Sequence, residues 1–598
     1  MRFLFYYKKT LLRVAILGCL LGVGIILLRR TAAISSIYEE QQKQLELENI
    51  QTNMANEGSG VQTEPDISQI FTITVSPLGD TSIKNGAEMA INWWYNEEDG
   101  KYYIFLPASA NPDSLKINMS IVNEIFVDGK RIKNGDTCAL PLGSHEITTS
   151  YDEQIFQLEV MQSANVATLF FDTNSGSLQY LHTDKANEEG GKVTILRANG
   201  KTEFAGDMEA IHCRGNASWT DTDKKSYQLK LLSETSLFGM GAAKKWLLIA
   251  NAFDNTLIRN VTALSMAQEL GLAYTPQSEY VDVYANGNYV GNYLLMEKIE
   301  IGENRIRINN LEKETEKMNK YIEDLSTCDT FMEPQGRLYS TKGYQIPREP
   351  VDLSGGYLLE IEMSDRYGLE ASGFMTSRMQ PVVFSSPKYA SHAQVSYIAN
   401  RYQDFEDAIY SEDGYSPYTG TYFGDYIDMD SFARKYLLEE MVKNLDAAFT
   451  SQFIYKPNDK ESTKFFAGPA WDYDKAIAGS GITQEGIDLF DPVGFYACVQ
   501  TKDSDYWYGL YQQEEFRNRA IGIYFDEYKA ITEKEATEKI QKRADYILQA
   551  DMMNAYRWNT FNEDATIEEK TDTFYEKVEE LKNFLHKRNE FLTSEWES

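Results

Sequence analysis

Between residues 67 and 162 the apolar and polar positions alternate in short runs with a period of two. Phe71–Val75, Tyr102–Leu106 and Ile155–Val160 read as strands, because successive strand side chains point to opposite faces. Asn85-Gly86, Asp128-Gly129 and Asn134-Gly135 supply turns between such runs. The pattern predicts a small all-β, sandwich-like module. It carries no catalytic constellation and reads as a spacer or binding module.

From about residue 167 to 596 the periods mix. Val281–Tyr284 and Tyr289–Met296 flank Ala285-Asn286-Gly287-Asn288, which predicts a hairpin. Helical spacing covers Asn260–Leu270, ending before Gly271, and Asp430–Val442, with Asp430 or Ser431 as cap. Phe574–Glu595 has helical periodicity and is expected to pack or to lie on the surface. Leu311–Pro350 is polar and reads as an insertion or mobile loop between strands. The fold class is α+β, with no internal repeats.

The N-terminus departs from both patterns. Leu11–Leu28 is apolar apart from Arg13, with Arg2, Lys8 and Lys9 before it and Arg29-Arg30 after it. A run of this length suits a short spanning helix with the N-terminus inside. An anchor ranks above a cleaved signal near Thr31-Ala32-Ala33, and that above a lipoprotein site at Cys19. Residues 1–33 are therefore expected to be a membrane anchor, 34–66 a stalk and linker, 67–162 the β module and 167–596 the main domain. Localisation is expected at the cell membrane, single-pass, with most of the chain extracytoplasmic.

Composition narrows the function. The chain of 598 residues has 90 acidic and 58 basic residues, a net charge of −32. Nucleic-acid binding needs a basic face, so it is excluded as a partner class. Five scattered cysteines form neither a Cys-x-x-Cys pair nor a disulfide framework, which argues against structural zinc.

Candidate chemistry concentrates between Asn444 and Asp474. Asp446, Asp472 and Asp474 sit among aromatic and small residues, where a carboxylate is costly unless paired or bound to a cation. Asp472 and Asp474, one residue apart, point the same way in an extended segment, an arrangement suited to Mg²⁺. Spacing alone leaves a second reading open: a polar turn after a buried strand, with Asp capping the next helix.

Five stretches in order resemble the spore coat protein H (CotH) kinase family. They are Arg214-Gly215-Asn216-Ala217-Ser218-Trp219 with Lys224 to Lys230, Trp246 to Asp254 with Leu257 to Asn260, Val283 to Gly287 with Gly291 to Glu297, Gly355 to Glu360, and Asn444 to Asp474. The resemblance spans roughly residues 167–596. It implies an atypical protein-kinase-like fold that transfers the ATP γ-phosphoryl group to Ser/Thr of extracytoplasmic or coat proteins, with Mg²⁺ or Mn²⁺.

By the same resemblance Asp446 is the catalytic base, Asp472 a metal ligand, and Asp474 a second metal ligand or a residue that holds the loop. Arg214 lies where a phosphate-covering turn belongs, and Lys225 and Lys230 are both candidates for the phosphate-contacting lysine; either also reads as a solvated strand residue. Glu297 sits near the adenine, pairs with a lysine, or simply ends its strand. Trp246–Arg259 reads equally as a packing motif with Asp254 as a cap. Gln452 stands where the family commonly has Asn as a second metal ligand. The competing function is a catalytically weak surface adhesion or assembly protein that binds nucleotide without transfer. A glycoside hydrolase is a distant third, supported by nothing beyond paired acids.

Overall fold

The computed structural model describes residues 71–75 and 89–597, apart from 98, 120–122, 150–154, 448, 482–485, 500–505 and 561–566. The expected anchor and stalk, the Asn85-Gly86 turn and Cys19 lie outside the described residues. Among the described residues no helix is long and apolar enough to cross a membrane.

The β module consists of a four-stranded and a six-stranded sheet. Ile117 of one and Ile104, Ile125 and Leu158 of the other are buried in one continuous core. That core runs on into the rest of the chain. The Tyr284 hydroxyl donates to the Phe105 carbonyl (2.6 Å), and the Tyr103 and Tyr556 rings lie 5.4 Å apart. The module is thus packed against the main domain.

A closed seven-stranded barrel follows, built from Ala167–Thr173, Glu188–Leu196, Thr202–Arg214, Ser226–Ser236, Ala242–Ile249, Asn288–Glu297 and Ser278–Ala285, in that order around it. Its interior is filled by Ile211, Cys213, Tyr227, Leu229, Trp246, Leu248, Tyr293 and others, as period two requires. The residues between them, including His212, Arg214, Gln228, Lys230 and Lys245, therefore face outward. The expected hairpin is present, with Asn286 and Gly287 both at positive φ, the turn that matches strand twist.

A second seven-stranded sheet lies C-terminal to the barrel; its central strand is Pro381–Ser386, followed toward one edge by Tyr357–Ile361 and then Gln452–Lys456. The segment expected to be a loop, Leu311–Pro350, is instead ordered. It holds the helix Leu311–Met318, capped by Asn310, and the hairpin Thr330–Gln335/Leu338–Tyr344. Its polarity reflects an edge position: one face of the hairpin is solvated, and the buried residues number few, Leu311, Thr315 and Leu338 among them.

The helices form close to where the pattern places them. Arg259–Glu269 ends before Gly271 at φ +78°. Met429–Val442 is capped by Asp428, whose carboxylate accepts from Ser431 N, two residues ahead of Asp430. The tail forms a long helix, Ile567–Glu597, with Leu585, Arg588 and Leu592 buried.

Candidate active site

The helix Met429–Val442 ends when Lys443 turns left-handed at φ +42°. The chain then presents Asn444, whose side-chain oxygen accepts from Asp446 N (3.3 Å) and whose amide donates to Glu439 (3.0 Å). Glu439 also pairs with Lys435 one turn back and accepts from the Tyr473 hydroxyl (2.8 Å). One buried glutamate thus ties the turn bearing Asp446 to the loop bearing Asp472 and Asp474. The Tyr473 backbone N–H donates to Asn260 (2.7 Å), which in turn donates to Asn251 at the end of a barrel strand (2.8 Å). Asp254 caps the helix that contains Asn260, accepting from Arg259 N (2.8 Å) and pairing with the Arg259 guanidinium. That is the packing role open for it from sequence.

These ties bring Asp446, Asp472 and Asp474 close enough to repel one another, each half-buried. Burial raises the Asp446 carboxyl to about 7, with repulsion from Asp472 adding to it. Burial likewise pushes Asp474 well above its ordinary value, helped by Asp472, Asp254 and Asp446. Asp472 holds a left-handed φ of +67° and accepts from Ser451 Oγ (3.1 Å). Lys475, over the Phe253 ring at 4.1 Å, is the nearest cation acting on Asp446 and Asp474.

Arg214 faces the trio from the outer wall of the barrel. Its guanidinium lies 5.2 Å from the Trp471 ring, and the charges of Asp472 and Glu360 offset the cost of its burial. In the second sheet Glu360 pairs in register with Phe453, so the two share a face, and the Glu360 charge reaches Arg214. Burial, with Glu362 and Glu370 adding repulsion, raises the Glu360 carboxyl to about 8.

The remaining sequence candidates lie apart. Lys225 donates to the carbonyls of Trp219 and Thr222, and Lys230 pairs with Glu209 on the surface. Glu297 accepts from Gln277 N and pairs with Arg305 (2.7 Å), whose guanidinium covers Trp246. Gln452 is opposite Ile361, so it points into the main core, away from Glu360 and the cleft, and neither of its amide atoms has a partner among the described residues.

Among the described residues no three His, Cys, Asp or Glu side chains converge tightly enough to hold a metal by themselves. Asp446, Asp472 and Asp474 nonetheless fit a hard cation in chemistry, since they are oxygen donors whose mutual repulsion Lys475 relieves only in part. Mg²⁺ is commonly held by one or two carboxylates together with phosphate oxygens and water.

Sequence reasoning missed Glu439 and Lys475, and it quoted Asn260 and Glu360 within the family stretches without giving them a role. The signal for Glu439 was present: Lys435 and Glu439 stand four apart in one helix, the spacing of an ion pair. The others depend on which strands become neighbours.

A closed barrel followed by an antiparallel seven-stranded sheet, with an arginine set against a carboxylate trio, defines a protein of kinase-like build. The family model of the CotH kinase protein matches residues 211–592, well over half of the chain. The chain belongs to the CotH kinase family. No curated protein matches it.

Proposed function

We propose that this protein transfers the γ-phosphoryl group of ATP to Ser/Thr hydroxyls of extracytoplasmic or coat proteins, held at the membrane by residues 11–28. The observation that carries the reading is the gathering of Asp446, Asp472 and Asp474 opposite Arg214. In-line transfer forms a bond from the acceptor oxygen to the γ-phosphorus and breaks the bond to the departing ADP, so the acceptor proton needs a base. Asp446 orients the hydroxyl and takes that proton. Its raised carboxyl range favours this, since a base works best near ambient pH. Asp472 and Asp474 would hold Mg²⁺ or Mn²⁺, which when bound neutralises phosphate charge. Arg214 contributes fixed positive charge on the opposite wall, and Glu439 and Asn260 keep the two carboxylate segments in register.

The second reading, a surface adhesion or assembly protein without transfer, draws on Gln452. Its place in the core leaves the aspartates without an added amide ligand. Incubating the full-length protein with labelled ATP and Mg²⁺ or Mn²⁺ separates the two. Labelling of the protein itself or of an added Ser/Thr protein, lost in Asp446→Asn, supports transfer. ATP binding with no labelling under either cation supports the second reading.

A further inference from the structure

Glu535 is a fully buried carboxylate that the proposed chemistry does not use. A glutamate on a helix is ordinarily solvated, and burying one is costly unless it is paired. It lies in an unbroken helical run from Glu514 to Trp558, which widens into π turns at Tyr524–Tyr528 and Glu535–Lys539. There the Lys529 N–H donates to the Tyr524 carbonyl and the Ile540 N–H to the Glu535 carbonyl, each reaching back five residues. Such turns are rare inside helices and recur at functional sites.

Each π turn grips one of the two helices that set the carboxylates. At the first, Glu527 accepts from both terminal nitrogens of Arg434 (2.6 and 2.8 Å), on the helix Met429–Val442 that leads into Asp446. Arg434 also donates to the Leu270 carbonyl, at the end of the helix Arg259–Glu269. At the second, Glu535 pairs with Arg543 and with Lys539 (3.6 Å), and accepts from Ser265 Oγ (3.5 Å) of Arg259–Glu269. Arg543 donates to Thr262 Oγ1 of the same helix (3.2 Å), and Lys539 pairs with its Glu269. That helix carries Asn260, which accepts from the Tyr473 N–H between Asp472 and Asp474.

We propose that Glu535 is a positioning residue for the aspartate loop: with Arg543 it clamps the helix Arg259–Glu269 to the run Glu514–Trp558, so that Asp472 and Asp474 are set against Asp446 before any ligand arrives. The clamp stands on contacts within the fold. Its consequence for transfer rests on the kinase reading and deepens it, by naming what keeps the site assembled.

The test is amide hydrogen exchange in the full-length protein without ligand, for the parent, Glu535→Gln, Thr262→Val and Glu538→Gln. Glu535→Gln keeps the shape and removes the charge that holds Arg543 and Lys539, a loss worth roughly ten-fold or more in a local opening equilibrium. Exchange at the Tyr473 amide and along Arg259–Glu269 should rise by that factor, while the barrel strands Thr202–Arg214 and Ser226–Ser236 stay within about two-fold of the parent. Thr262→Val, nearly the same in shape, removes only the hydroxyl that Arg543 meets, and should move the same amides in the same direction by less. Glu538→Gln alters an exposed pair with Lys542 (3.7 Å) in the same π turn and should match the parent. Labelling with ATP gives a second readout: Glu535→Gln should need roughly ten-fold more Mg²⁺ for half-maximal transfer, with the rate recovered at saturating Mg²⁺. Glu535 loses the role if Tyr473 exchanges as in the parent in both Glu535→Gln and Thr262→Val. It loses the role equally if all amides speed up together, the mark of a stability residue. Where Glu535→Gln does not fold, Thr262→Val decides alone. A parent that neither binds ATP nor is labelled overturns the kinase reading, and the exchange result still decides the clamp.

Discussion

Asp446 is the residue whose chemistry is most exposed to test. Asp446→Asn keeps shape and removes basicity, so transfer should fall by about two to four orders of magnitude while ATP affinity persists. In the parent, transfer should rise with pH as the Asp446 carboxyl ionises, with a midpoint at or below about 7, since a bound cation favours the ionised form. A rate profile flat from pH 5 to 8 removes Asp446 as the base.

The same raised carboxyls make a stability prediction. Asp446 and Asp474 bind protons more tightly folded than unfolded, so their contribution is complete below about pH 4 and is lost as pH rises, for Asp446 through about 7. Mg²⁺ with ATP offsets that loss. The rise in melting temperature on adding Mg²⁺ and ATP should therefore be larger at pH 8 than at pH 5, and an equal rise at both would remove the carboxylates from the cation site. Gln452, by contrast, buries an amide with no partner among the described residues. Gln452→Met, close in volume, should leave stability equal or higher and the ratio of Mg²⁺ to Mn²⁺ activity unchanged. A changed ratio would place Gln452 at the metal after all.

At the scale of elements, the site depends on the joint between the helix Arg259–Glu269 and the loop Trp471–Asp474. The joint is one side chain, Asn260, between Asn251 and the Tyr473 backbone. Asn260→Ala leaves the Tyr473 N–H buried without a partner and should cost about 1–3 kcal/mol. Because Tyr473 lies between Asp472 and Asp474, the Mg²⁺-dependent part of ATP affinity should drop as well. Calorimetry at a temperature where the variant is still folded checks this; unchanged affinity there makes Asn260 a stability residue alone.

Across the whole molecule, the barrel is closed against the C-terminal helices at Gly291. This glycine has φ +112°, and a Cβ there would come within 2.7 Å of Trp558 Nε1, 2.8 Å of Asn554 Oδ1 and 2.9 Å of Lys224 Cε. The Gly291→Ala variant combines strain with a clash and should cost about 2 kcal/mol or more. It should loosen Ile540–Trp558 first, seen as faster hydrogen exchange in that helix than in the barrel interior. At the other end, Arg588 of the last helix pairs with Glu440 (2.8 Å) and donates to Pro492 and Gly494 carbonyls. Lys443 donates to Asp491 and Val493 carbonyls. The C-terminal helix and the segment after the aspartate loop are therefore both fastened to the end of the helix that leads into Asp446.

Local pattern by itself determined the strands of the β module, the Asn286-Gly287 hairpin, the helices before Gly271 and after Asp428, and the three aspartates as carboxylates out of place among aromatics. Each of these depends on neighbours within a few residues, through period, turn geometry or capping. Leu311–Pro350 misled because polarity marks a solvated edge as readily as a loop, and only the pairing of Thr330–Gln335 with Leu338–Tyr344 tells them apart. Tertiary structure alone decided which cations face the carboxylates. Lys225, Lys230 and Arg214 are alike as cations on strands or at their ends, yet one is spent on carbonyls, one on a surface glutamate, and one lies within reach of Asp472 and Glu360. Strand register decided Gln452 in the same way, since a partner at Ile361 turns it to the core whereas a partner at Glu360 would have turned it to the cleft. Strand register of this kind, set by the pairing of Gln452 with Ile361, comes from contacts between distant segments that no local pattern encodes.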